Sequence, residues 1–143
     1  MDCSGEHREF RRMMDDFAEL MTRSREGGFA ELPGARLLFS RRFASHMADE
    51  AEYFRVLVAS PAGSRLLPAF REYEDRVRLL RADYSAHVRK WTPQEIDQHW
   101  PDYVSAVLVL QDRFRGLMDW EEEKLVLGGG MERRAGQAGR VAV

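Results

Sequence analysis

The chain contains a single cysteine, Cys3, so no internal disulfide can form. That suits a reducing compartment, and the expected location is the cytoplasm. Cys3 stands near the terminus and reads as an exposed bystander, with a redox-sensing thiol as the sharper alternative. No apolar run approaches the ~20 residues that cross a bilayer, so no membrane partner is expected. The opening Met1-Asp2-Cys3-Ser4-Gly5-Glu6-His7 is polar and lacks the apolar centre of a secretion signal. An excess of either charge is missing too: 22 Lys and Arg against 24 Asp and Glu leave a net charge of −2. A nucleic-acid binder would carry a basic face, so nucleic acid is not an expected partner. Gly128-Gly129-Gly130 ends a helical stretch rather than following a strand, which removes the phosphate-loop reading. No Ser/His/Asp or Cys/His grouping has a nucleophile's context.

What is present is helical periodicity. At 143 residues the chain suits one domain with a real core, and no stretch alternates as a strand does. The first helix is expected from about 6 to 24, with Phe10, Met14, Phe17 and Met21 on one line and Ser4 as cap. Gly27, Gly28, Pro33 and Gly34 are expected to break it. The second, from about 35 to 59, carries Phe39, Phe43, Met47, Phe54 and Leu57. Ser60-Pro61 ends it, and Ser64 is the expected cap of a third helix bearing Leu66, Phe70, Tyr73, Val77, Leu80, Tyr84, His87 and Trp91. Thr92-Pro93-Gln94-Glu95 reads as a capping box with proline at the first helical position. The fourth helix then runs to about 127, bent or broken early by Pro101, with Trp100, Tyr103, Val107, Leu110, Phe114, Leu117, Glu121 and Leu125 inside. Long helices joined by short breaks predict an all-α, antiparallel up-down-up-down four-helix bundle over 1–127, followed by a Gly-rich tail, 128–143, expected to be disordered.

The second helix breaks the rule that an apolar seam excludes charge. His46 lies three residues past Phe43, and Glu50 lies four before Phe54, so both fall on or beside the buried line. Inward His and Glu four apart suit a metal site in a helical core, since imidazole and carboxylate fit iron, manganese and zinc. The alternatives are a buried His–Glu hydrogen bond, or Glu50 at the edge in solvent. Matching helix levels at ~1.5 Å per residue brings His7, His46, Glu50, Tyr73, Glu121 and Glu122 to one layer, with Asp119 and Glu123 facing outward. The runs Arg41-Arg42 and Glu121-Glu122-Glu123 otherwise read as solvated faces. Asp83 and His87 form a second pair four apart, ~15 Å farther along the axis. There His87 is expected among Tyr84, Trp91, His99, Trp100 and Tyr103, as a structural aromatic cluster or, alternatively, a small-molecule or second metal pocket.

The second-helix segment from Phe39 to Phe54, with His46 followed by Glu50, resembles the hemerythrin-like (HHE cation-binding) domains. Glu6-His7-Arg8-Glu9-Phe10 is similar to that family's first-helix histidine segment, and Leu117 to Leu125 resembles its closing segment. The resemblance spans about residues 6 to 127. It implies an antiparallel four-helix bundle around a non-haem di-iron centre that binds oxygen or senses oxygen, redox state or iron. It implies His7, His46 and Glu50 as ligands. The chain departs from the family where Tyr73 and Met118 stand in place of histidines, and three family histidines are missing. Tyr73 as a phenolate and Glu121 or Glu122 as carboxylates are the available substitutes. Three functions follow as expectations: a non-enzymatic metal-binding sensor or carrier, with a metal ion and O2 as ligands; a metal-free regulatory bundle with a protein partner; or an oxidative or small-molecule-binding enzyme.

Overall fold

The computed structural model describes residues 3–23 and 30–125, and every regular element among them is helical. Helix α1 spans Cys3–Thr22, α2 Leu32–Ala59, α3 Leu67–Lys90, α4 Pro93–Gln98 and α5 Trp100–Lys124. A 3₁₀ turn, Gly63–Leu66, leads into α3. None of these helices is long and apolar enough to cross a membrane. The expectations placed on Gly27-Gly28 and on the tail from 126 onward lie outside the described residues, as does the side chain of Cys3.

Proline explains where most helices begin. Pro33, Pro68, Pro93 and Pro101 each sit in a first turn, where the missing N–H costs nothing and the fixed φ is already helical. Three local expectations are corrected for this reason. Pro33 and Gly34 do not interrupt the chain; they lie inside the first turn of α2, which starts at Leu32. Ser64 caps nothing, because the 3₁₀ turn precedes α3 and Leu66 holds the cap position without a side-chain bond. Ser4 lies inside α1 rather than ahead of it. The Thr92 cap is present, its hydroxyl accepting from the Glu95 N–H at 3.2 Å. At Pro101 the last stretch divides, with His99 separating the one-and-a-half turns of α4 from α5.

Neighbouring helices touch with their residue order reversed. Along α1 and α5, His7 meets Glu122, Met14 meets Gln111, and Asp15 meets Arg115. Along α1 and α2, Glu6 meets His46 and Phe10 meets Phe39. Along α2 and α3, Phe54 meets Tyr73 and Ser40 meets Tyr84. Along α3 and α5, Arg76 lies over Trp120, Asp83 pairs with Arg113, and His87 stacks on Tyr103. The larger apolar core is built from Phe10, Met14, Phe43, Met47, Phe54, Val77, Leu80, Phe114 and Leu117, among others. A second cluster, with Leu20, Trp91, Ile96, Tyr103 and Val107, closes the other end.

Candidate metal centre

Helical spacing carries four ionisable side chains into the larger core. His7 precedes Phe10 by three residues, and Phe10 is buried. His46 follows buried Phe43 by three, and Glu50 follows buried Met47 by three. Glu121 stands four residues after Leu117 and four before Leu125, both buried. Residues three and four apart share a helix face, so each group is drawn inward with its apolar neighbours. The exposures of His7, His46, Glu50 and Glu121 are 0, 3, 0 and 1 %. Burying so many ionisable groups is expensive unless they are paired or bind a cation.

One donor atom from each of the four lies within 4.8 Å of the others. His46 Nε2 is 2.9 Å from Glu50 Oε2, His7 Nε2 is 3.2 Å from Glu121 Oε2, and His7 Nε2 is 3.4 Å from Glu50 Oε2. Donors bound at 2.0–2.3 Å to one ion stand roughly 2.9–3.7 Å apart in octahedral or tetrahedral arrangement, so these separations match a shared ion. Only the long His7 Nε2–Glu50 Oε2 contact at 3.4 Å is a hydrogen bond; His46 Nε2, Glu50 Oε1 and both oxygens of Glu121 are buried without a hydrogen-bond partner. The 2.9 and 3.2 Å contacts are therefore ion-pair contacts off the hydrogen-bond direction. Buried polar atoms seldom stay unpaired, and several on one small volume fit a bound cation.

The outward nitrogens are satisfied. His7 Nδ1 donates to Glu122 Oε1 at 3.1 Å, and His46 Nδ1 donates to Glu6 Oε2 at 3.0 Å. A carboxylate only accepts, so both rings carry a proton on Nδ1 and turn Nε2 inward, as metal-binding histidines held by an outer carboxylate do. Glu122 is itself gripped by both terminal nitrogens of Arg11, at 2.9 and 2.8 Å, and Arg11 also reaches Asp119 at 2.7 Å. That Arg11 fork holds the Glu122 carboxyl below its usual range.

The charge balance of the four groups is set by burial against contact. Burial opposes a charged His7, but the contacts with Glu121 and Glu50 outweigh it and lift the imidazole to about 10. Burial likewise opposes a charged Glu50, and His46 and His7 overcome it, holding the carboxyl at about 2. Glu121 goes the other way: burial, reinforced by the negative charge of Glu50, drives it well above the carboxylate range despite His7. The contacts thus favour the charged forms of Glu50 and His7, whereas burial opposes the charge on Glu121.

The six residues singled out from the sequence divide. His7, His46, Glu50 and Glu121 converge. Glu122 is one-third exposed and braces His7 from outside. Tyr73 is buried on α3 with its ring 5.0 Å from that of Phe54. Glu121 departs from the solvated reading of the 121–123 run, while Glu123 and Asp119 do face outward. Sequence reasoning missed Glu6 and Arg11 as supporting residues. Their only signal was position, one residue before and four after His7.

At the other end His87 stacks on Tyr103 at 5.8 Å, in a group separate from the four. Two expectations there are corrected. Asp83 pairs with Arg113 across to α5 rather than along its own helix with His87. His99 is about half exposed and lies 3.9 Å from Glu95 on α4 rather than buried among the aromatic rings.

Compared with protein families, curated proteins and solved structures, the chain matches none.

Proposed function

We propose that the chain is a hemerythrin-like, antiparallel up-down-up-down four-helix bundle that binds a non-haem metal ion, iron foremost, for oxygen, redox or metal sensing or binding. The observation that carries this reading is the convergence of four buried donor groups, three of which, His46, Glu50 and Glu121, keep an atom without a hydrogen-bond partner. The reversed order of contacts between neighbouring helices supports the bundle topology. His7, His46, Glu50 and Glu121 would hold the ion, a donor set of two imidazoles and two carboxylates that suits iron, manganese and zinc. When bound, iron supplies redox and oxygen-binding chemistry. The chain's own contribution is orientation and exclusion of water: Glu6 and Glu122 fix the imidazoles, and Phe10 covers His46 with ring centroids 5.0 Å apart. Glu6 and Glu122, each one-third exposed, also give a cation an acidic approach.

A second reading is a metal-free bundle acting as a regulatory or protein-interaction module. It is favoured by the electrostatics of the group, because the contacts favour a charged pair of His7 and Glu50 while burial opposes a further charge on Glu121. Thermal unfolding with and without Fe(II), Mn(II) and Zn(II) separates the two. A ligand that binds only the folded state raises its stability with concentration. The metal reading expects a rise in Tm for wild type that His46→Ala abolishes. An unchanged Tm with all three ions leaves the metal-free module.

A further inference from the structure

A cavity of about 430 Å³ opens between α1, α2, α3 and α5, away from the four ionisable groups. Phe39, Phe43 and Phe114 form the wall towards that centre, and Phe10 fills the space behind them, 5.8 Å from Phe39, 5.2 Å from Phe114 and 5.0 Å from His46. The cavity and the candidate metal centre are therefore two compartments divided by an aromatic layer. Small-molecule pockets run to about 300–1,000 Å³ and are mainly apolar with a few placed polar groups. This one fits that description. A ~150 Å³ cavity already holds benzene, so an apolar body of roughly ten carbons is accommodated.

The polar groups on the wall specify the ligand's other end. Arg36 is half-buried and donates to the Trp91 carbonyl at 2.7 Å. Its guanidinium also stands 5.8 Å from the Tyr103 ring. Among the described residues no ion pair joins it to a carboxylate, and its one hydrogen bond is to that carbonyl. Its charge is felt by three groups of the same cavity, Tyr84, His87 and Tyr103. Facing the cavity from α5, Gln111 is buried, and its Nε2 donates to the Met14 carbonyl at 3.0 Å, leaving Oε1 without a hydrogen bond. Ser40 and Tyr84 satisfy each other. The wall thus offers one cation with no counter-ion among the described residues, one spare acceptor and largely apolar surface.

We infer that this cavity binds a small apolar monocarboxylate, its hydrocarbon or aromatic body among Phe39, Phe43, Leu80 and Phe114 and its carboxylate on Arg36. A guanidinium fork matches a carboxylate geometrically and binds it more strongly than a neutral polar head. The site does not depend on the metal reading, because no residue of the four-group centre lines it.

The test uses the full chain, with decanoate and its neutral counterpart decanol as probes, below micelle-forming concentrations, by isothermal titration calorimetry at pH 7.5. Wild type should bind decanoate about tenfold or more tightly than decanol, the size of one charge-assisted contact. Arg36→Gln should reduce that preference to near unity while decanol still binds. Arg36→Lys should keep most of it. Ser40→Leu, which places an isobutyl group in the cavity, should weaken both probes at least tenfold, with thermal unfolding confirming a folded protein. Should Arg36→Gln fail to fold, the Arg36→Lys and Ser40→Leu comparisons still decide. No binding of decanoate to wild type, equal binding of decanoate and decanol, or binding unaffected by Ser40→Leu overturns the assignment.

Discussion

The imidazoles of His7 and His46 meet edge-on, ring centroids 5.4 Å apart, with each Nδ1 on an outer carboxylate and each Nε2 beside Glu50. The rings come from two helices and converge on one inner carboxylate, so the orientation of each depends on the carboxylate behind it. Removing such an outer partner from a metal-binding histidine typically costs about 10–100-fold in affinity. Glu6→Ala and Glu122→Ala should each weaken metal binding by about that factor without abolishing it, read by competition with a chromophoric chelator. Affinities equal to wild type would show that the outer carboxylates do not brace the site.

The two inner carboxylates should differ when no metal is present. Its contacts hold Glu50 low as the partner of buried His7, whereas burial and the charge of Glu50 push Glu121 upward. Removing one partner of a buried ion pair costs about 3–5 kcal/mol, because the other charge stays behind. In chelator-treated protein at pH 7, Glu50→Gln should lose stability on that scale. Glu121→Gln, which removes a charge that burial already opposes, should change stability by less than about 1 kcal/mol. Urea unfolding measures both. Equal losses would mean that the negative charge is not localised on Glu50.

A pH effect arises at the other end of the molecule. Burial, with the charge of Arg36, lowers the His87 imidazole from its ordinary 6.5 to about 4. Between those values the unfolded chain takes up a proton that the folded chain refuses, so His87 lowers folded stability as pH falls from 6.5 to 4 and has no such effect above 6.5. Chemical unfolding at pH 7 and pH 4.5 should show a smaller loss for His87→Gln than for wild type. Parallel losses would place the imidazole in an environment as accommodating as water.

Two glycines predict opposite signs. A Cβ on Gly63 would overlap the carbonyls of Leu57 and Val58 at the end of α2, so the 3₁₀ turn packs there only because the side chain is missing. Gly63→Ala should cost about 1–3 kcal/mol through that clash. Gly116 lies inside α5, and a Cβ there would meet nothing within 4 Å. Gly116→Ala should therefore stabilise by about 0.5–1 kcal/mol, since alanine is the better helix former. Thermal unfolding of the two single variants should move Tm in opposite directions.

The helices and their inner faces are legible in the sequence because each apolar line repeats at three- and four-residue steps. Phe10, Met14 and Met21, or Tyr103, Val107, Phe114 and Leu117, are buried as that spacing requires. Inward His46 and Glu50 are legible for the same reason, being charged residues on an apolar line. What the spacing does not give is partner choice across helices. Glu121 and Glu122 are adjacent in sequence yet one is buried and the other braces from outside, a distinction of ~100° of helix rotation that periodicity resolves poorly. Glu6 and Arg11 escape a sequence reading because their roles depend on which helix lies beside α1. Spacing along one helix pairs Asp83 with His87, but Arg113 reaches it from α5. Helix starts are misplaced wherever proline is read only as a breaker, as at Pro33.

The central claim is that His7, His46, Glu50 and Glu121 together hold one metal ion. The most direct measurement is elemental analysis of the purified chain after anaerobic reconstitution with Fe(II), and separately with Mn(II) and Zn(II), followed by removal of unbound ion. The prediction is about one ion per chain for at least one of the three metals, falling to background in His46→Ala and reduced in Glu50→Gln. Background metal in the wild type with all three ions, or the same stoichiometry in His46→Ala, would contradict it.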